Sequence, residues 1–78
     1  MVEKIDLSQL PVGRRGKVIS LQAEGLIRSH LLDLGLIPDT VVEVIRRSPT
    51  GDPIAYGIRG AIIALRSEVS RLITVSPL

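Results

Sequence analysis

A single histidine, His30, has Ser29 before it and Asp33 three residues after it. These are the residue types that hold metals, move protons and attack carbonyls. A His–Asp pair at i, i+3 on a helix offers two ligands on neighbouring faces and no more. Divalent iron usually takes two histidines and a carboxylate, and structural zinc takes four thiolates or imidazoles. With one His and zero Cys, neither set can be filled. Ser29 points about 100° away from His30 on a helix, so no Ser-His-Asp relay forms. The carboxylates are scattered singly, which leaves no pair for glycosidic acid–base work. Gly13-Arg14-Arg15-Gly16 lacks both the spacing and the following helix of a phosphate loop. No catalytic residue, metal site or cofactor site is therefore expected. His30 reads as a boundary histidine at the margin of an apolar helical stripe.

Two basic clusters come next, Arg14, Arg15 and Lys17 and then Arg46 and Arg47. Ten basic side chains against eight acidic ones leave a net charge of only +2. A protein held by many phosphate contacts carries a stronger bias. Small β-barrels that bind single strands also stack bases on aromatic rings, and Tyr56 is the one aromatic residue. The clusters read instead as charges on solvated strand edges, which discourage edge-to-edge pairing. No nucleic-acid partner is expected. The same scarcity of rings excludes a groove for proline-rich peptides.

No segment is apolar enough to span a bilayer. The longest unbroken apolar run, residues 61–65, is five residues, against about twenty for a span. The first residues alternate charged and apolar side chains and have no signal-peptide core. A cytoplasmic protein is expected, whose 45% hydrophobic residues are buried in a core or against a partner.

The elements that position these residues are short. Leu10-Pro11-Val12-Gly13 fits a type I turn, with Pro second and Gly fourth, and residues 17–21 read as a strand with Val18 and Ser20 on one face and Ile19 and Leu21 on the other. The period then changes. Ala23, Ile27, Leu31 and Leu34 share one side of a 3.6-residue helix over residues 26–34, and Gly35 stands where a left-handed C-terminal glycine belongs. Residues 40–47 are β-branched without a breaker. Val42 and Val44 take one face, and Val41, Glu43, Ile45 and Arg47 the other. A turn cluster at 48–53 leads into strands 54–58 and 62–66. Ser67 reads as the N-cap of one helical turn, and a last strand occupies 72–75. About five short strands in 78 residues are easiest to bury as a small curved barrel, because closure removes edges. The expected fold is mainly β: one SH3-like barrel spanning 1–78, with a helix between strands one and two and a helical turn before the last strand.

One surface stands out on the helical wheel. With Ile27, Leu31 and Leu34 inward, Leu32 points nearly the opposite way. Leu26, Leu36 and Ile37 lie at the two ends of the same helix. Together with a rim of Arg28 and Asp33 they form a candidate docking patch. Leu26, Arg28, Leu32, Leu36 and Ile37 are the expected partner-binding residues. Exposed strand edges and this leucine patch leave self-association into a homo-oligomer open.

The stretch Arg28-Ser29-His30-Leu31-Leu32-Asp33-Leu34-Gly35-Leu36-Ile37-Pro38 resembles the "RxxLLDLGLxPG" signature of the FeoA family. That family is the small cytosolic component of ferrous iron transport. Gly51-Asp52-Pro53-Ile54-Ala55-Tyr56-Gly57-Ile58-Arg59-Gly60, followed by Ile63-Ala64-Leu65-Arg66, resembles the family's "GDPIxxxxRGxxIALR". The ending Leu72-Ile73-Thr74-Val75 and the opening 7–21 are similar as well, so the likeness covers nearly the whole chain. The resemblance implies an SH3-like barrel without enzymatic activity. It also implies a partner, the FeoB ferrous iron permease with its GTP-binding domain, on whose cytosolic part this domain docks to modulate transport. An arginine finger on that GTPase, from Arg28 or Arg59, is a sharper variant. The alternative is a stand-alone iron- or metal-responsive domain, since the same fold closes metal-dependent repressors. One departure is visible: Asp39 stands where the family favours Gly, at a turn position that takes positive φ or forces a different turn.

Overall fold

The computed structural model describes residues 3–78. Six antiparallel strands form one strongly curved sheet in the order β1-β6-β2-β3-β4-β5. They are β1 (Ile5–Asp6), β2 (Arg15–Leu21), β3 (Val41–Arg47), β4 (Ile54–Ile58), β5 (Ala61–Leu65) and β6 (Ile73–Pro77). A 3-10 turn, Leu7–Gln9, follows β1; α1 (Gly25–Asp33) joins β2 to β3, and α2 (Ser67–Ser70) joins β5 to β6. The SH3-like, mainly β architecture with both helical insertions is as the residue pattern predicts. β1 is an addition to the five expected strands. Its two residues pair with β6, Ile5 against Val75 and Asp6 against Thr74, and two residues carry no periodicity to read.

Inward residues from every long strand meet in an aliphatic core. Val18, Val42, Val44, Ile54, Ile73 and Val75 are fully buried, with Leu7 and Leu31 closing the two ends. Tyr56, the one ring, sits among them with its hydroxyl donating to Ser70 Oγ at 2.9 Å. Burial pushes the phenol above its ordinary value.

Two bulges change the expected faces. The β2–β6 register shifts between Val18 and Ser20, so Val18 and Leu21 both turn inward, a pair that strict alternation separates. The β3–β4 register shifts between Val44 and Arg46. Arg47 consequently leaves the outer face of Val41, Glu43 and Ile45. Its guanidinium donates to the carbonyl of Ser8 at 2.9 Å and that of Leu10 at 3.3 Å. Neither basic cluster lies on an edge: β2 and β3 are interior strands of the sheet.

Strand ends also differ from the sequence pattern. β6 runs on to Pro77, opposite Gly16; β1 reaches only Thr74 and Val75 on its other side, so the proline there interrupts no ladder. The N-cap of α2 is Arg66 and not Ser67. Ser67 instead gives its backbone N–H to Asp52 Oδ1 at 2.8 Å, which ties the turn before β4 to the start of the helix.

Candidate docking surface

α1 is nine residues long and begins at Gly25, with no side-chain cap from Glu24. Its first turn stands away from the barrel and its last turn packs on it. Leu26 is 90% exposed and Ile27 50% exposed, whereas Leu31 is fully buried. The helical wheel therefore needs correction at two positions. Ile27, expected in the core, faces solvent, and Leu32, expected outside, is half-buried against the core cluster beside Leu34. A straight stripe fails because only the last turn of this nine-residue helix is buried against the core.

The end of α1 fixes the next two residues. Gly35 takes φ +100°. Its N–H donates to the Leu32 carbonyl at 3.0 Å, and the Leu36 N–H donates to the Leu31 carbonyl at 3.1 Å. That is the Schellman arrangement, whose usual apolar contact brings the residue after the glycine onto the last buried residue of the helix. Leu36 and Leu31 are accordingly both fully buried. Leu36 is thus a core residue and leaves the set of expected partner contacts. Ile37, the next residue, returns to the surface at 37% exposure.

A turn follows. Thr40 N–H donates to the Ile37 carbonyl at 3.1 Å across Pro38 and Asp39, and Asp39 takes φ +76°. This is a type II turn with an aspartate in the glycine position, so the departure at Asp39 leaves the loop shape intact.

Arg28 is exposed, with one guanidinium nitrogen 3.4 Å from the Leu21 carbonyl. It lines a shallow groove of about 680 Å³ with Ile27, Ala23, Glu24 and Leu72. Ile37 lines a separate depression with Pro38, Val41 and Arg59. The five expected residues therefore divide. Leu26 and Arg28 share the free end of α1, Leu32 is half-buried in its last turn, Ile37 belongs to the neighbouring loop, and Leu36 is internal. Ile27 and Leu72 border the groove and were not expected there. Ile27 was hidden by its fit to the core stripe; Leu72 carries no sequence signal.

The surface offers contact chemistry. His30 and Asp33 are both exposed on α1. No three His, Cys, Asp or Glu groups converge as a metal site among the described residues. No helix among them is long and apolar enough to cross a membrane.

Comparison with known proteins places this geometry. The FeoA domain profile matches residues 5–77. The Fe(2+) transport protein A/Fe(2+) transporter FeoB fusion protein of Porphyromonas gingivalis is 28% identical over 69 residues, 88% of this chain. The chain spans 8% of the length of that relative. The solution structure of the FeoA protein from Chlorobium tepidum superposes with a TM-score of 0.89 at 38% identity, over 95% of this chain and 70% of that one. FeoA from Stenotrophomonas maltophilia, complexed with zinc and described as a prokaryotic SH3 domain protein, gives 0.81 at 27% identity, over 91% and 88% of the two chains. A profile match over nearly the whole chain, on a fold that superposes on solved FeoA proteins, leads to one assignment: the chain belongs to the FeoA domain family.

Proposed function

We propose that this domain docks on the cytosolic part of an FeoB-type ferrous iron permease and modulates transport, working by contact and not by catalysis. The observation that carries the reading is the fusion relative, in which an FeoA and an FeoB share one polypeptide. Two activities joined in one chain work within reach of each other, because a linker raises their effective concentration. The contact surface on this chain is the free end of α1. Leu26, 90% exposed, and Ile27, 50% exposed, present apolar side chains to solvent beside the groove carrying Arg28. Ile37 extends the surface on the loop side, and Leu32 packs against the core. The domain then resides in the cytoplasm and meets the membrane through its partner. Arg28 already leans on the Leu21 carbonyl, and the contact role needs no arginine finger.

The test is co-purification of the permease with the wild-type domain and with Leu26→Glu. Recovery should fall at least tenfold for the variant while its melting curve stays in place. Equal recovery removes α1 from the interface. Turnover of GTP by the permease's soluble domain, with and without this protein, then reads whether docking reaches the nucleotide site.

A further inference from the structure

Arg14, Arg28 and Arg47 commit their guanidinium groups to carbonyls of the chain, those of Leu78, Leu21, Ser8 and Leu10. Four other cations, Arg15, Lys17, Arg46 and Arg59, are exposed. The one ion pair among the described residues, Arg66 with Glu68, involves none of them. The edge-protecting role expected of Arg15, Lys17 and Arg46 lapses as well, because β2 and β3 are interior strands.

The register gathers these charges on one face, since cross-strand partners point to the same side of a sheet. Arg15 pairs with Glu43 and Lys17 with Val41. Glu43 pairs with Gly57 and Arg46 with Ala55, and Gly57 pairs with Ile62. This is the outer side of β2 to β5, opposite the buried Val18, Val42 and Ile58. Arg46 reaches it through the bulge after Val44, which sets Ile45 and Arg46 both against Ala55. Arg59 reaches it from the β4–β5 turn, where it lines one depression with Arg15, Val41 and Ile62.

Between the cations the face is aliphatic. Val41 is 41%, Ile45 36% and Ile62 71% exposed. Ile45 Cδ1 lies over Gly57, at 3.3 Å from where a Cβ would stand, and Ile62 is next across the sheet. An apolar ridge therefore runs from β3 to β5. Glu43 is the carboxylate within this face, and Asp39 lies in the turn beside Arg59. The whole chain carries only +2, so its positive charge is concentrated here.

We propose that this face rests on the headgroups of an anionic bilayer. Guanidinium and ammonium groups pair with lipid phosphates while their methylene stems lie along apolar surface. The aliphatic ridge then meets the acyl boundary, and charge and apolar area act together. Four cations spread over two strands, a bulge and a turn impose no single register. That suits a fluid array of headgroups better than the fixed carboxylates of one protein partner. The docking reading supplies proximity: a domain held on a membrane permease lies within reach of the bilayer, and the tether makes a weak contact count. The inference rests on that reading for nothing else. The lipid contact belongs to the isolated domain, and the depression at its centre shares no residue with the α1 groove.

Co-sedimentation of the domain with vesicles of equimolar phosphatidylglycerol and phosphatidylcholine, and of phosphatidylcholine alone, tests it. Each cation brought to an anionic surface tightens binding about fivefold. The mixed vesicles should therefore bind about tenfold more tightly or better, and raised salt should release the domain. Arg15→Gln/Arg46→Gln should lose about tenfold or more. Lys4→Gln/Arg71→Gln removes equal charge from exposed sites before β1 and β6 and should stay within about twofold of wild type. Ile62→Ser should weaken vesicle binding severalfold with an unchanged circular dichroism spectrum. Leu26→Ala should bind vesicles as wild type does, whatever it does to recovery of the permease, which keeps the two readings apart. Equal binding to the two kinds of vesicle overturns the proposal, as does an equal loss in the two charge variants or indifference to Ile62→Ser. Binding to polyglutamate as tight as to the mixed vesicles assigns the face to an acidic protein and overturns it too.

Discussion

The Tyr56 hydroxyl donates to Ser70 Oγ at 2.9 Å, and Ser70 Oγ in turn lies 3.3 Å from the Arg66 carbonyl. This relay fastens α2 to the middle of β4 through an otherwise aliphatic core. Tyr56→Phe keeps the ring and leaves the buried Ser70 hydroxyl with one partner fewer. It should cost about 1–2 kcal/mol in urea unfolding. The phenol is also a pH-dependent element. Burial raises its folded pKa above 10.0, the ordinary value, so the unfolded chain gives up its proton first. The contribution is whole below pH ~10 and is lost as pH rises through the folded value. Unfolding titrations at increasing alkalinity should show wild type losing stability that Tyr56→Phe does not lose. Parallel curves would place the alkaline loss elsewhere.

Gly35 and Asp39 both occupy the left-handed region, at φ +100° and +76°, and the same physics predicts opposite outcomes for exchanging them. A Cβ on Gly35 would stand 3.2 Å from Arg59 Cδ, in a conformation that itself costs an L-residue about 1–2 kcal/mol. Gly35→Ala should therefore lower stability by roughly 1–2 kcal/mol. Asp39→Gly removes strain already present in the type II turn and should raise stability by several tenths of a kcal/mol, about 0.5. Thermal melts of the two variants should move in opposite directions. A drop for Asp39→Gly would mean that the aspartate side chain does more for the turn than its backbone costs.

The fold was legible because its punctuation is local. Gly35 marks the helix end, Arg59-Gly60 the hairpin, and the β-branched run at β3 its strand. The faces were less legible. Strict alternation makes Arg47 an outward residue, but a bulge at Ile45 that no residue type announces turns it to the carbonyls of Ser8 and Leu10. Leu36 had the same apolar signature as Ile37, and only the hydrogen bonds around Gly35 separate the buried one from the exposed one. Ile27 and Leu32 exchange their expected environments because tertiary packing, not the helical period, decides which turn of a nine-residue helix is buried. The candidate surface survives at Leu26, Arg28 and Ile37 as exposed residues; its role in docking rests on the experiments proposed for it.

Asp52 acts across the turn cluster. Its Oδ1 accepts from Ser67 N–H at 2.8 Å, while its carbonyl accepts from Ser48 Oγ at 2.6 Å and Thr50 Oγ1 at 3.0 Å. A four-residue helix has little stability of its own, so a cap supplied from fifteen residues away matters for seating Ser70 under Tyr56. Asp52→Ala should cost about 1 kcal/mol. Because α2 carries the Tyr56 partner, the double variant Asp52→Ala/Tyr56→Phe should cost less than the two single changes together. Strict additivity in urea unfolding would show that the cap and the buried relay are independent.

Leu26 and Leu36 lie at opposite ends of one short helical segment and should separate docking from folding. Leu26 is 90% exposed and Leu36 fully buried against Leu31. Leu36→Ala should cost about 2–5 kcal/mol through the lost methyl groups and the cavity left behind. Leu26→Ala should stay within about 0.5 kcal/mol of wild type. Binding to the permease's cytosolic part should show the reverse order. Leu26→Ala should weaken it markedly, and Leu36→Ala only in proportion to the fraction unfolded, at a temperature where most of that variant remains native. If Leu36→Ala loses binding while still folded, the Gly35 turn opens on docking and delivers Leu36 to the partner. If neither change affects binding, the contact lies away from α1, and the Ile37–Val41–Arg59 depression becomes the surface to mutate next.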